Sequence, residues 1–189
     1  SFGSIRSEYL VRDWGTDSGL PQNSVLDLVQ TRDGYIWIAT FGGLARFDGI
    51  AFTTFDSGAT PGLLSNRIMG LAEDKGGTLW IATEESGLSE YRNGSFRNYS
   101  VRDGLPSNNT YAVLATRDGS VWISTRAGLV RRHSGRFEKI PWPPGSPDEP
   151  TIGALSESDD GSTILAATAG GILRFQQGKP GAFLPAPSD

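Results

Sequence analysis

The chain holds one histidine, His133, in the run Arg131-Arg132-His133-Ser134. A histidine works as a general base when a nucleophile, an acid or a metal stands beside it. No second histidine and no cysteine is present, so thiol nucleophiles, disulfides and thiolate metal sites are excluded. Two acidic pairs are the other residues able to do chemistry. Asp159-Asp160 precedes Gly161 and reads as a turn rather than a cation site. Glu84-Glu85 sits between two apolar segments and could act as an acid–base pair. Taken together these residues form no catalytic or metal-binding constellation; the expectation is no enzyme, no metal and no cofactor.

What remains is recognition chemistry, and composition narrows it. Net charge is −4 with both signs interspersed, so no basic stripe is available for a phosphate backbone and no nucleic-acid partner is expected. No apolar run approaches the roughly 20 residues that span a bilayer. The first residues, Ser1-Phe2-Gly3-Ser4, lack a charged region followed by an apolar one. A truncated piece of a longer protein, reaching a membrane only through segments absent here, is the expectation.

The elements that would position a site announce themselves by repetition. GYIWIAT at 34–40 returns as GTLWIAT at 77–83 and GSVWIST at 119–125. Trp37, Trp80 and Trp122 are 43 and 42 residues apart. Gly-Leu pairs follow at 43–44, 87–88 and 128–129, then the turn pairs Asp48-Gly49, Asn93-Gly94 and Ser134-Gly135. A fourth unit keeps Asp160-Gly161 and Gly171-Ile172 but reads STILAAT between them, one residue longer, which leaves Ile164 and Leu165 as rivals for the tryptophan position. Periods of this length signal repeat architectures.

Within residues 23 to 56, β-branched and apolar runs over 24–31, 35–40, 44–47 and 50–55 are separated by Gly- and Asp-rich turns, with Asp48-Gly49 read as a two-residue hairpin turn. No segment carries a helical apolar stripe. YIWIA is apolar on both faces, which suits a sheet sandwiched between other sheets. The expected fold class is all-β: a β-propeller of four-stranded antiparallel blades, as one domain over 1–189 with blades near 23–56, 66–100, 108–140 and 151–184. Tyr9 to Trp14 stands where the outer strand of a preceding blade would, so an orphan strand over 8–14 is expected to pair remotely. Four blades allow a small closed ring, a partial ring, or half of an eight-bladed dimer.

The repeat, GLP-x-N before an apolar strand and then DGx(I/L/V)W(I)(A/S)T-xxGL, resembles the two-component regulator propeller repeat, strongly over 8 to about 140 and weakly over 151 to 183. The resemblance implies the periplasmic sensor portion of a bacterial membrane receptor, such as a hybrid histidine kinase. It implies further repeats, a transmembrane helix and an output domain, none of which this sequence contains.

Propellers bind ligands on the face carrying the loops between blades and the loops joining strands two and three. Those loops place Phe41, Asn66, Arg67, Glu84, Glu85, Asn108, Asn109, Tyr111 and Arg126 there, with Asn23. Amides, charges and aromatics in one ring suit a small polar ligand, possible carbohydrate chemistry included. Asn23, Asn66 and Asn108 recur at one repeat position, which points to turn stabilisation instead. The stiff loop Pro141-Trp142-Pro143-Pro144 offers an exposed indole to a partner. An open half-ring would expose apolar faces and self-associate into a dimer. The alternative functions are a propeller lyase or hydrolase using His133 or Glu84-Glu85, and an assembly scaffold.

Overall fold

In the computed structural model, residues 12–146, 151–176 and 178–186 are described. They form four antiparallel sheets of four strands, each in simple sequential order. The first sheet holds β1 (Val25–Gln30), β2 (Ile36–Thr40), β3 (Gly43–Phe47) and β4 (Phe52–Phe55). The second holds β5 (Ile68–Glu73), β6 (Leu79–Thr83), β7 (Gly87–Arg92) and β8 (Ser95–Tyr99). The third holds β9 (Thr110–Ala115), β10 (Val121–Thr125), β11 (Gly128–His133) and β12 (Arg136–Lys139). The fourth holds β13 (Ile152–Glu157), β14 (Thr163–Thr168), β15 (Gly171–Gln176) and β16 (Lys179–Pro185). Short 3-10 turns at Thr16–Ser18 and Val101–Asp103 lead into β1 and β9.

Inner strand packs on inner strand: β1 on β5, β5 on β9, β9 on β13. The four sheets are therefore blades of a partial propeller. Every residue of β6 and of β10 is buried, whereas β15 alternates buried with exposed. The two middle blades are covered on both faces, and the end blades present one face each to solvent.

The tryptophans are the mortar. Trp37, Trp80 and Trp122 are each 2% exposed. Each faces the third strand of the blade after it: Trp37 meets Tyr91 at 4.9 Å between ring centres, and Trp122 meets Phe175 at 5.8 Å. Such aromatic pairs add about 0.5–1.5 kcal/mol beyond area burial. Between the second and third blades Arg132 takes that place, its guanidinium 4.9 Å from the Trp80 ring and 5.1 Å from Tyr99. In the fourth blade register decides between the two rivals. Leu165 pairs with Arg174 as Trp37 pairs with Arg46 and Trp122 with Arg131. Leu165 holds the tryptophan position, and the extra residue lies in the β13–β14 turn, where Ser158 N–H bonds Thr163 O instead of the residue four on.

The rest of the repeated motif is explained by hydrogen bonds. The threonine closing each second strand turns its hydroxyl onto the carbonyl of the glycine opening the third: Thr40 on Gly43 at 2.7 Å, Thr83 on Gly87 at 2.7 Å, Thr125 on Gly128 at 2.8 Å, Thr168 on Gly171 at 2.9 Å. That glycine is required twice over. Gly87 has φ 83°, and a Cβ there would lie 2.1 Å from Tyr99 O.

Three expectations need correction. The Asp48-Gly49 turn is not a two-residue hairpin: Phe47 pairs with Phe52, and Asp48 to Ala51 form the loop. The Asp48 carboxylate accepts the N–H groups of Ile50 and Ala51, both at 2.8 Å, which holds the wider turn open. Asn93-Gly94 and Ser134-Gly135 do make two-residue turns, with φ 50° and 81°, and 49° and 81°. Trp142 is not an exposed anchor; it is half-buried against the core between the third and fourth blades. Residues 12–14 form no strand, and the remainder of the expected strand over 8–14 lies outside the described residues. Trp14 itself rests on Phe47 at 5.1 Å, as Phe55 rests on Tyr91 at 6.1 Å, so it occupies the place of an outer-strand aromatic.

Candidate functional site

The loops after the second strand and those leading into the first strand meet on one face, and three of the expected residues converge there. Phe41 follows β2, Glu84 follows β6, and Arg67 precedes β5. The Arg67 guanidinium lies 4.7 Å from the Phe41 ring centre and forms an ion pair through Nε with Glu84. Glu84 N–H also bonds Arg67 O at 3.0 Å. Arg67 and Glu84 are half or more and about a third open to solvent respectively, at 50% and 29% of their side-chain surface. Coulomb attraction between such groups is screened and worth little for stability. The cluster is therefore an exposed, preformed charge and aromatic surface, not a structural staple.

The line continues into the third blade. Asn109 Oδ1 accepts the Glu85 N–H at 3.1 Å, and Asn109 O accepts the Arg126 N–H at 2.9 Å. Glu85 has φ 76°, a left-handed conformation seldom taken by a non-glycine residue. The Arg126 side chain is exposed.

The repeating asparagines do something else. Asn23 Oδ1 accepts Thr16 N–H at 2.8 Å, Asn66 Oδ1 accepts Ser57 N–H at 2.6 Å, and Asn108 Oδ1 accepts Val101 N–H at 2.9 Å. Each ties the interblade loop to its own start, which accounts for their recurrence.

Tyr111 belongs to a different place. Each inner strand loses register near its beginning, between Val25 and Asp27, Ile68 and Gly70, and Ile152 and Ala154, and β9 loses it opposite Ile123 and Thr125. These bulges set Leu26, Met69, Tyr111 and Gly153 around an axial cavity of about 270 Å3. Regular bulges at one position aim one residue per blade at the axis. Only repeat arithmetic applied to strand one, rather than to loops, would have found this ring in the sequence. Asp27 joins it by accepting Leu71 N–H at 2.8 Å across the first blade junction.

On the opposite face lie His133 and the hairpin turns. His133 is exposed, with Nδ1 2.9 Å from Ser120 Oγ, which also accepts Arg131 Nε–H at 2.9 Å. Burial would raise the Asp118 carboxyl, but hydrogen bonds from Thr116 and Ser120 and the charge of Arg131 outweigh it and hold it at about 2. Asp160 is likewise lowered to about 2 by the Ser158 hydroxyl and then by Ser162. Asp159-Asp160 is thus a capped turn. Among the described residues no cluster of three metal-ligating side chains occurs, and no helix is long and apolar enough to cross a membrane.

Comparison with known proteins agrees with this architecture. The family described as two component regulator propeller matches residues 19–42, 62–85 and 104–127. Each match runs from the interblade loop through the second strand. No curated protein matches the sequence. Among solved structures, the extracellular domain of the hybrid two component system BT3049 from B. thetaiotaomicron superposes with TM-score 0.77 at 24% identity, over 94% of this chain and 27% of that one. The extracellular domain of the one component system BT4673 from the same organism gives 0.72 at 20% identity, over 96% and 24%. Virginiamycin B lyase from Staphylococcus aureus gives 0.70 at 15% identity, over 90% and 58%. The chain spans about a quarter of the two extracellular domains, and at these identities the likeness is one of fold. Three of the four blades thus carry the repeat described as two component regulator propeller, matched at the positions that build the blade.

Proposed function

We propose that this chain is a non-catalytic, ligand-recognising part of a periplasmic sensory receptor of the two-component type. The observation that carries the reading is the exposed Phe41–Arg67–Glu84 cluster, continued by Asn109 and Arg126, at positions where the repeats differ from one another. Blade-building positions repeat; these do not. The family and the extracellular receptor domains of similar fold supply the receptor context. The expected ligand is small and polar, such as a sugar or an organic anion, using Arg67 and Arg126 as donors and Phe41 as an apolar floor.

Calorimetric titration with a panel of sugars and organic acids tests this. Arg67→Ala and Arg126→Ala should each weaken binding about tenfold or more. Asn108→Ala should leave affinity alone and cost stability, about 1 kcal/mol for an orphaned loop N–H. Equal affinity in all three variants overturns the site. Turnover of a streptogramin that His133→Ala abolishes overturns the non-catalytic part.

The open ends of the arc lead to a second part of the proposal, self-association. The first blade exposes Leu28 on its outward face, and the fourth exposes Ile172 and Leu184. These faces correspond to the faces buried at the internal junctions, so the outward side of the fourth blade is suited to the outward side of the first in a second copy. Light scattering should give the mass of a dimer, and a monomer at high micromolar concentration would refute it.

A further inference from the structure

A second cavity, of about 240 Å3, opens between the third and fourth blades on the hairpin-turn face, away from the loop cluster. Its origin is traceable to two sequence changes. In the first blade the residue after the turn glycine is Tyr35, and Arg46 lies over its ring at 4.3 Å. In the third blade that residue is Ser120. Arg131, the counterpart of Arg46 in register, keeps the Trp122 ring at 5.9 Å but has no tyrosine ring to cover, and turns to Ser120 Oγ at 2.9 Å and Asp118 Oδ2 at 2.7 Å. The far wall is the lengthened β13–β14 turn, where the inserted residue brings Gly161 and Ser162 to the rim.

The lining is mostly apolar, and its few polar groups are directional. Trp80 in the second blade donates its indole N–H to Asp74 at 2.8 Å. Trp122, equally buried, lines the cavity, and the nearby Asp118 is engaged by Arg131; among the described residues the Trp122 N–H has no acceptor. Unlike the enclosed Nε atoms of Arg46 and Arg132, that N–H is open to the cavity, where a ligand oxygen can accept it. Opposite stands Glu157, fixed by the Arg117 N–H at 3.1 and 3.2 Å and facing its guanidinium at 3.9 Å. Two carboxylates balance two guanidinium groups around the cavity, so neither an anion nor a cation gains from entering.

We propose that this cavity binds a small uncharged polyhydroxylated molecule, one oxygen accepting from the Trp122 indole N–H and hydroxyls donating to Glu157 and Asp118. The site is independent of the loop-face reading, and Arg67→Ala leaves it intact. The test is the 15N indole NMR spectrum of the whole chain titrated with xylitol and with D-xylose. The Trp122 signal is identified by its loss in Trp122→Phe. It should move saturably with a millimolar or tighter midpoint for at least one probe. Ser120→Tyr, which restores the ring present in the first blade, should weaken binding at least about tenfold while the other indole signals keep their positions. Should Ser120→Tyr fail to fold, Ser162→Leu at the rim gives the same reading. No saturable movement with either probe, or unchanged movement in the filled variant, overturns the proposal.

Discussion

At the scale of the residue, position in the repeat separates structural work from recognition. Trp37, Trp80 and Trp122 share one burial and one role, and Asn23, Asn66 and Asn108 share one hydrogen bond. Asp118 shows how local bonds set ionisation. Its carboxyl is lowered to about 2, below the ordinary 3.8. A lowered folded-state value means that its contribution is complete above the unfolded value near 3.8 and disappears as pH falls through about 2. The stability advantage of the native chain over Asp118→Asn should therefore be constant at neutral pH and vanish between pH 3.8 and about 2, as followed by urea unfolding at each pH. An advantage that persists at the acid end would show that the hydrogen bonds, not the charge, matter.

At the scale of the element, most of the blade was readable in advance because its determinants are local. The tryptophan spacing gave the period, YIWIA gave a strand covered on both faces, and the Asn-Gly and Ser-Gly pairs gave left-handed turns. Asp48-Gly49 misled because the same dipeptide also nucleates a wider turn when its carboxylate reaches two N–H groups ahead. Leu165 was ambiguous because the extra residue could be counted but not located until register was known. The candidate site was legible only by position: loop residues could be assigned to a face, yet the pairing of Arg67 with Phe41 and Glu84 depends on how two blades abut. That Tyr111 lines the axial cavity rather than joining the Arg67 cluster was not legible, because the bulge that turns it to the axis leaves no composition signal.

The junction between the second and third blades carries the clearest element-scale prediction. Arg132 occupies the position held by Tyr91 and Phe175 at the neighbouring junctions, and its buried Nε has no partner among the described residues. Its attraction to the Trp80, Tyr99 and Phe137 rings offsets part of the desolvation. Replacing buried charges with apolar groups of similar size is commonly neutral or stabilising. Arg132→Tyr should raise unfolding free energy by about 1 kcal/mol, measured by denaturant titration; a drop of similar size would show that the cation is held favourably among the rings.

At the scale of the whole molecule, the arc is an array in which every blade leans on its neighbours. Stability in such arrays is close to a sum of unit and nearest-neighbour terms. The second strands of the middle blades are wholly buried, while the fourth blade's β15 shows alternate residues to water and its tryptophan position holds Leu165. Amide hydrogen exchange should then be slowest in β6 and β10 and faster in β14 and β15, a gradient measurable by mass spectrometry of peptic peptides. Uniform protection across all sixteen strands would mean that the blades open as one. A graded profile has a physiological corollary: fraying from the ends makes the terminal blades the part most responsive to whatever docks against them, so a signal entering there would alter their folding before it altered their shape.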